Sequence, residues 1–105
     1  MIIITSEVTF TADKWDEALE LAKSHVEKSR LETGCKSHRY LISPEHEHCL
    51  FFYEEWVDRA AIDFHFAQPY SRHLSKMFQL WATNQIKINF HHVREKEAQS
   101  PETDS

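Results

Sequence analysis

The spacing of apolar residues along the chain predicts a strand followed by a long helix. Residues 1–10 are rich in β-branched side chains and then alternate between apolar and polar, which is typical of a strand. Residues 14–31 carry apolar side chains at steps of three and four, so one stripe of a helix would face the core. Thr11 or Asp13 would cap the start of this helix, and Gly34 would end it.

The middle of the chain predicts two further strands and two further helices. Residues 35–42 predict a strand with Tyr40 and Ile42 on one side, and the apolar and aromatic residues 49–57 predict a stronger one. The short polar turn between them favours a hairpin. Asp58 would cap a helix that runs to about Phe66, because its side-chain oxygen can accept from the first turn. Pro69 is suited to the first position of another helix, where no backbone N–H is needed.

The final apolar alternation, at residues 85–93, predicts a half-buried strand. We expect one domain over residues 1–95, followed by a disordered polar tail at 96–105. The element order βαββααβ is typical of an α+β ferredoxin-like fold, an antiparallel four-stranded sheet with helices on one face. The uncovered sheet face would be apolar, given the aromatics in residues 49–57. Two such faces packed about a two-fold axis would form a homodimer.

Composition and charge exclude several classes of function. The chain of 105 residues has a single glycine, which rules out Gly-rich phosphate loops and dinucleotide fingerprints. Its net charge is −5 and its basic residues are scattered, so we expect no nucleic-acid partner. No apolar run is long enough for a membrane span, and no secretory signal precedes Cys35 and Cys49. We therefore expect reduced thiols in a cytoplasmic protein that does not bind membranes.

Two segments resemble the antibiotic biosynthesis monooxygenase family. Residues 30–35, RLETGC, followed by Tyr40, are similar to the family's E-x-G-C…Y junction between the first helix and the second strand. Residues 53–65, YEEWVDRAAIDFH, are similar to its strand-to-helix signature Y-E-x-W/Y-x-D-x-x-A-x-x-x-H. Residues 68–70, QPY, stand where the family often has S-P-H. With the element order, the resemblance spans about residues 1–93.

The resemblance implies a dimeric α+β barrel with a pocket between the sheet and the helices of each subunit. Characterised relatives are mostly oxygenases that act on quinols or polycyclic phenols without metal or flavin. Others degrade haem, and one branch isomerises a phosphorylated linear dione. The haem branch uses an asparagine on the first strand, which residues 1–10 lack, and His73 is out of register with its haem ligand. We therefore do not expect haem degradation.

Three residues are candidates for proton transfer. His65 could act as a general base that removes a phenolic proton, or it could be a half-buried residue that anchors its helix. Glu54 alternates with Phe52 and Trp56 on an apolar strand, so a buried carboxylate there would need a partner such as His65 or His25. His25 could point into the same cavity, although a position facing solvent fits its spacing equally well.

Aromatic side chains are the candidates for binding a flat substrate. Trp56, Tyr70, Phe52 and Trp81 could stack on aromatic rings, although aromatics at helical or strand spacing more often belong to the core.

The eight histidines raise the question of a metal site. His46 and His48 would share one face of an extended segment, whereas the adjacent His91 and His92 would point to opposite faces. Because spacing places no third ligand, we expect neither a native metal site nor another cofactor.

These observations favour a cofactor-independent monooxygenase that oxidises a small quinol or phenolic compound with O2. His65, supported by Glu54, would deprotonate the substrate, and the apolar pocket would shield the intermediate from water. One alternative is an isomerase of the same fold acting on a small hydroxyketone or dione. A phosphorylated substrate would then need Arg72, Lys76 or Arg39 as its anchor. Another alternative is a non-catalytic dimer that binds a small molecule.

Overall fold

The computed structural model describes residues 1–94, in which the predicted element order is confirmed. The elements are β1 (Ile2–Thr9), α1 (Trp15–Ser29), β2 (Cys35–Ile42), β3 (Cys49–Trp56), α2 (Arg59–Ala67), α3 (Pro69–Trp81) and β4 (Lys87–His92). The predicted tail at 96–105 lies outside the described residues. Within residues 1–94, no helix combines the length and the apolar character needed to cross a bilayer. Cys35 and Cys49 are free thiols, as predicted.

The four strands form one antiparallel sheet in the order β2-β3-β1-β4, which confirms the ferredoxin-like arrangement. β1 lies at the centre and pairs with β3 on one side and β4 on the other. β2 pairs with β3 so that His38 lies opposite Glu54 and Tyr40 lies opposite Phe52. The register shifts between Cys35 and Ser37, at the start of β2. This register sets a histidine beside a carboxylate on the covered face.

The core lies between the helices and the sheet face that they cover. Alternate residues of β1 and β3 are buried there, as the period of two in a strand requires. The larger apolar cluster contains Val8, Phe10, Ala18, Ala22, Val26, Leu50, Phe52 and Phe78. A smaller cluster contains Ile2, Ile4, Trp56 and Ile62. Polar residues interrupt the covered face between and beside these clusters, and they form the candidate site.

The predicted start of α1 is wrong in detail. The helix begins at Trp15, after a 3-10 turn over Ala12–Lys14, so neither Thr11 nor Asp13 caps it. The residue before the helix is Lys14, whose side chain forms no capping hydrogen bond. The first turn contains the acidic residues Asp16 and Glu17, whose negative charges interact favourably with the N-terminal end of the helix dipole.

Gly34 does not end α1, contrary to prediction. The helix ends at Ser29, and Gly34 does not have the positive φ of a glycine cap. The glycine is needed for close packing instead, because a Cβ at this position would lie 2.3 Å from Cβ of Ala61. Its backbone oxygen also accepts a hydrogen bond from the Val57 N–H at 3.0 Å. Gly34 therefore lets the chain after α1 approach the start of α2.

The predicted starts of α2 and α3 are confirmed. The Asp58 side chain caps α2 by accepting from the Ala61 N–H at 2.9 Å. Pro69 occupies the first turn of α3, where its missing N–H costs nothing. The break at Gln68 turns the chain between the two helices, and the Gln68 N–H donates to the His65 carbonyl at 3.1 Å. These two starts fix His65 and the first turn of α3 next to each other.

β4 was predicted to be half-buried, but every residue in it is exposed. On the helix side, Ile88 is 52% exposed and Phe90 is 42% exposed. The reason is that a cavity, rather than a packed helix, lies against Ile88. The alternation of apolar and polar residues therefore identified the strand correctly. It could not show that the helices do not pack directly against this strand.

The sheet face that points away from the helices is mixed rather than uniformly apolar. Ile3, Phe51 and Tyr53 are half-buried on this face beside Glu7 and Glu55. The Tyr53 hydroxyl donates to the Glu55 carboxylate at 2.9 Å, so part of the polarity is already satisfied within the chain. A homodimer formed through this face stays a prediction.

Candidate active site

A cavity of about 1050 Å³ lies between the covered face of the sheet and helices α2 and α3. Apolar side chains form much of its lining, among them Ile4, Val8, Phe52, Leu74, Phe78 and Ile88. The buried titratable residues His25, His38, Glu54 and His65 also line it. A mostly apolar cavity with a few convergent polar groups is the usual form of a small-molecule site.

His65 is buried on α2 and is held by a carboxylate from a distant part of the chain. Its Nδ1 lies 2.8 Å from Oε2 of Glu32, and the Tyr70 hydroxyl donates to the same oxygen. A carboxylate at Nδ1 favours the tautomer with the proton on Nδ1, which leaves the lone pair on Nε2. The Ser71 hydroxyl lies 3.3 Å from Nε2. Burial lowers the pKa of His65, and the Glu32 carboxylate opposes that shift.

Glu32 is a site residue that the sequence analysis missed. It lies between α1 and β2, inside the RLETGC segment that carries the family resemblance. Thirty-three positions separate it from His65, so no local spacing connects the two residues. Its Oε1 is buried and has no hydrogen-bond partner among the described residues, so this carboxylate depends on the contacts that Oε2 makes.

Glu54 does not have the partner that the sequence analysis assigned to it. We expected it to support His65 or His25, but the carboxylate that contacts His65 is Glu32. Oε1 of Glu54 instead accepts from Nε1 of Trp56 at 2.9 Å and lies 3.5 Å from Nε2 of His38. Burial raises the pKa of Glu54 to about 7, although the hydrogen bond from Trp56 lowers it. Part of the Glu54 population is therefore protonated near neutral pH.

Three imidazole rings pack against one another beside these carboxylates. The ring centroid of His25 lies 5.3 Å from that of His38 and 5.1 Å from that of His65. The centroids of His38 and His65 lie 5.7 Å apart. Nδ1 of His25 and both ring nitrogens of His38 are buried without a hydrogen-bond partner among residues 1–94. Each unsatisfied buried group costs about 1–3 kcal/mol of stability, so the cluster destabilises the core in which it lies.

Both histidines without satisfied nitrogens are neutral at physiological pH. Burial, with the neighbouring His65 as the next cause, lowers the pKa of His25 to about 3. Burial likewise lowers the pKa of His38 to about 2, with His25 as the next cause. His25 thus points inward, which settles the alternative of a solvent-facing position. His38 was missed by the sequence analysis, and the available signal was its alternation with Tyr40 on β2.

The four aromatic residues predicted to bind substrate have different positions. Phe52 lines the cavity, whereas Trp56, Tyr70 and Trp81 are not among the described residues that do so. Trp56 is fully buried, with its ring centroid 4.5 Å from that of His65. The Tyr70 hydroxyl binds Glu32. Trp81 packs against the larger apolar cluster, at the far end of α3. Trp56 and Tyr70 therefore position the polar residues and do not form a stacking wall.

The candidate basic anchors and the other histidines also differ in whether they line the cavity. Arg72 and Lys76 line the cavity from α3, whereas Arg39 is exposed on β2 and is not part of the described lining. The remaining histidines are His46, His48, His73, His91 and His92, and none of them is in that lining. All are exposed except His48, which is half-buried against Trp15.

Comparisons with known proteins show the family to which this chain belongs. The sequence model of the antibiotic biosynthesis monooxygenase family matches residues 1–77. The match covers well over half of the chain and includes every residue of the polar cluster. The chain therefore belongs to the antibiotic biosynthesis monooxygenase family.

One curated protein is similar to this chain in sequence. The chain is similar to "Uncharacterized protein sll1783" of Synechocystis sp., at 33% identity over 69 residues. That match covers 66% of this chain and 47% of the relative, so the chain spans about half the length of that curated protein.

Solved structures share the fold. A crystal structure of an antibiotic biosynthesis monooxygenase superposes with a TM-score of 0.83 at 23% identity, covering 90% of this chain and 100% of that one. A conserved protein from Methanosarcina mazei gives 0.82 at 22% identity, with 89% and 92% covered. Rv0793 from Mycobacterium tuberculosis gives 0.84 at 16% identity, with 92% and 98% covered.

Proposed function

We propose that this chain is a cofactor-independent monooxygenase that oxidises a small quinol or phenolic compound with O2. Family membership supports a monooxygenase-like function at the coarse level. The observation that carries the finer proposal is the contact of 2.8 Å between Nδ1 of His65 and Glu32 beside a largely apolar cavity. A histidine held in this way is a general base, and a general base is what oxidation without a cofactor requires.

The first step is removal of a phenolic proton by Nε2 of His65. The lone pair is available at neutral pH because burial lowers the pKa of His65 and so favours its neutral form. When the proton arrives, the imidazolium forms 2.8 Å from the Glu32 carboxylate, which stabilises the new charge. Tyr70 donates to the same carboxylate oxygen and helps to fix its orientation.

The second step uses the electrons of the deprotonated ring. The substrate anion gives one electron to O2, and the resulting radical and superoxide combine into a peroxide on a ring carbon. Loss of water from the peroxide leaves a quinone carbonyl. One oxygen atom enters the product, and the other leaves as water with two protons, the phenolic proton returned by His65 and the proton lost from the attacked ring carbon. The substrate supplies all four electrons. The apolar lining favours this chemistry because it keeps bulk water from the intermediate.

The experiment that tests the proposal is oxygen consumption by chelator-treated protein with a panel of quinols and hydroxynaphthalenes. We expect uptake in the wild-type protein and a loss of about 10²–10⁴-fold in kcat for His65→Ala. His73→Ala is the matched control, because His73 is exposed on α3 and lies outside the described cavity lining. Oxygen uptake that is equal in both variants would contradict the role of His65. Wild-type protein that consumes no oxygen with any member of the panel would count against the oxygenase.

A second candidate keeps the base but not the oxygen. Arg72 and Lys76 line the cavity, and this favours a substrate with an anionic group, such as a phosphorylated hydroxyketone or dione. His65 would then move a proton between carbon atoms of the substrate. Proton exchange at the substrate α-carbon in D2O, without oxygen uptake and dependent on His65, would identify this isomerase. Loss of substrate binding in Arg72→Gln would support its anionic group.

A further inference from the structure

The proposed chemistry gives a role to one of the three buried histidines and leaves the other two unexplained. His25 and His38 are 6% and 1% exposed, so neither is placed to exchange hydrogen bonds with solvent. Nδ1 of His25 and both ring nitrogens of His38 have no partner among residues 1–94. Nitrogen atoms that are buried side by side without hydrogen-bond partners either lower the stability of the fold or bind a partner from outside the chain.

We propose that His25, His38 and His65 form a binding site for one divalent transition-metal ion of the Zn²⁺ and Co²⁺ type. The site goes beyond the proposed function and does not depend on it. Three imidazole nitrogens with a fourth position left open to a cavity are a donor set that suits these borderline ions. The histidines come from α1, β2 and α2, so the tertiary fold rather than local spacing brings them together.

The separations are close to those that such an ion requires. One ligand nitrogen from each histidine lies within 4.8 Å of the others. With metal–nitrogen bonds of about 2.0–2.1 Å in a tetrahedral site, the nitrogens would stand about 3.4 Å apart and the ring centroids about 5 Å apart. The observed centroid separations are 5.1, 5.3 and 5.7 Å. The centroid separations thus match those around a shared ion, and ring rotation has to bring the nitrogens from within 4.8 Å of one another to about 3.4 Å.

Two carboxylates supply the charge and the orientation that a buried cation needs. Glu32 contacts Nδ1 of His65 at 2.8 Å, which is the arrangement that orients metal-bound histidines and raises their basicity. Oε1 of Glu54 lies 3.5 Å from Nε2 of His38. Together Glu32 and the ionised form of Glu54 balance the charge of a divalent ion in surroundings that would otherwise penalise it.

The site has a consequence for catalysis that rests on the proposed function. An ion bound to Nε2 of His65 occupies the lone pair that removes the substrate proton. Zn²⁺ should therefore inhibit oxygen consumption by the chelator-treated protein. Activation by Zn²⁺ or Co²⁺ would leave the metal site intact and overturn the base role of His65, so the two proposals fail separately.

The test is binding of Zn²⁺ to the full chain by calorimetry and of Co²⁺ by visible absorption, both without substrate. We expect one ion per chain and the intense visible bands of four-coordinate Co²⁺. His38→Gln should weaken binding by more than about 100-fold, because it removes a ligand rather than a second-layer contact. The control is the double variant His46→Gln with His48→Gln, which removes the surface pair and should bind as the wild type does.

Two results would overturn the site. One is wild-type protein that binds no ion tighter than His38→Gln does, and the other is binding that the surface double variant loses. If His38→Gln does not fold, as shown by circular dichroism, nitrogen-15 NMR of the wild-type histidine side chains decides the question. Zn²⁺ should then shift the ring nitrogens of His25, His38 and His65. Shifts confined to the surface histidines would refute the proposal.

Discussion

Two regions of the covered sheet face are built from the same elements but with opposite chemistry. The apolar end is the larger apolar cluster, and what we call the polar end is the layer around His25, His38 and Glu54, which lies between that cluster and the smaller one. On α1, Ala18 and Ala22 belong to the apolar cluster, whereas His25 is buried one turn further along. β2 and β3 change at the same level. The cross-strand pair Tyr40–Phe52 lies on the apolar side, and the next pair on this face is His38–Glu54.

The three elements become polar at the same level, and this is stronger evidence for a site than any single residue. One buried histidine is often a satisfied core residue, whereas three elements that become polar at one level mark a site. The apolar end gains stability from burial, and the polar end loses some through unpaired nitrogens and a desolvated carboxylate. The following variants test whether the two ends are separable, one serving stability and the other function.

The largest effect should come from Glu32→Gln at the polar end. An amide at this position no longer stabilises the imidazolium of His65 and favours the wrong tautomer, so we expect kcat for oxygen uptake to fall by about 10²-fold or more. KM should change little, because Glu32 does not line the cavity. The matched control is Glu55→Gln, on the opposite face of β3, which should retain wild-type kinetics. Equal losses in both variants would show that the effect is not specific to the site.

Leu50→Ala should destabilise the apolar end without altering the chemistry of the polar end. Leu50 is fully buried in the larger cluster, and its truncation should lower the free energy of unfolding by about 2–5 kcal/mol. Urea denaturation measures this loss. The surviving folded fraction should keep wild-type kcat and KM. A large loss of kcat in folded protein would show that the two ends are not separable.

A smaller loss of stability should follow from Gly34→Ala, which tests how the segment that carries Glu32 is held. The new Cβ would stand 2.3 Å from Cβ of Ala61, so the segment or α2 has to shift, at a cost of about 1–3 kcal/mol. Because α2 also carries His65, we expect a fall in kcat beyond the loss of stability. Denaturation and kinetics on the same preparation separate the two. Unchanged stability would mean that the packing is looser than the structure indicates.

The pH dependence of stability should be set by the polar end. The folded-state pKa of Glu54, about 7, is above its ordinary value of 4.5, so its contribution is fully present below pH 4.5 and is lost as the pH rises through 7. Glu54→Gln keeps an oxygen that can accept from Trp56 and should be more stable than the wild type above pH 7, by about 1–3 kcal/mol. Urea denaturation at pH 6 and pH 8.5 measures the difference. An equal change at both pH values would contradict this assignment.

The opposite sign applies to His25 and His38. Their folded-state pKa values, about 3 and about 2, are below the ordinary 6.5, so their contribution is present above pH 6.5 and is lost as the pH falls below it. We therefore expect wild-type stability to decline on the acid side of pH 6.5.

The sequence predicted the fold better than the site because alternation and helix starts are local properties. Asp58 and Pro69 marked helix starts correctly, and His65, His25, Glu54 and Phe52 all line the cavity. The pairings could not be predicted, because they depend on tertiary register.

Two residues illustrate the limit. His38 reaches Glu54 only through the pairing of β2 with β3, after a register shift near its start. Glu32 reaches His65 across 33 positions of the chain, from a segment that Gly34 lets approach α2 closely.

The most direct test of the central claim is the pH profile of kcat/KM for oxygen consumption by chelator-treated protein. We predict that activity is lost as the pH falls through a value below 6.5, because burial lowers the pKa of the base, His65. The same limb should persist in Glu54→Gln, which removes the carboxyl group that lines the cavity. A rate that rises steadily with pH toward the ordinary phenol pKa of about 10, with no limb below 6.5, would show that the protein does not remove the proton.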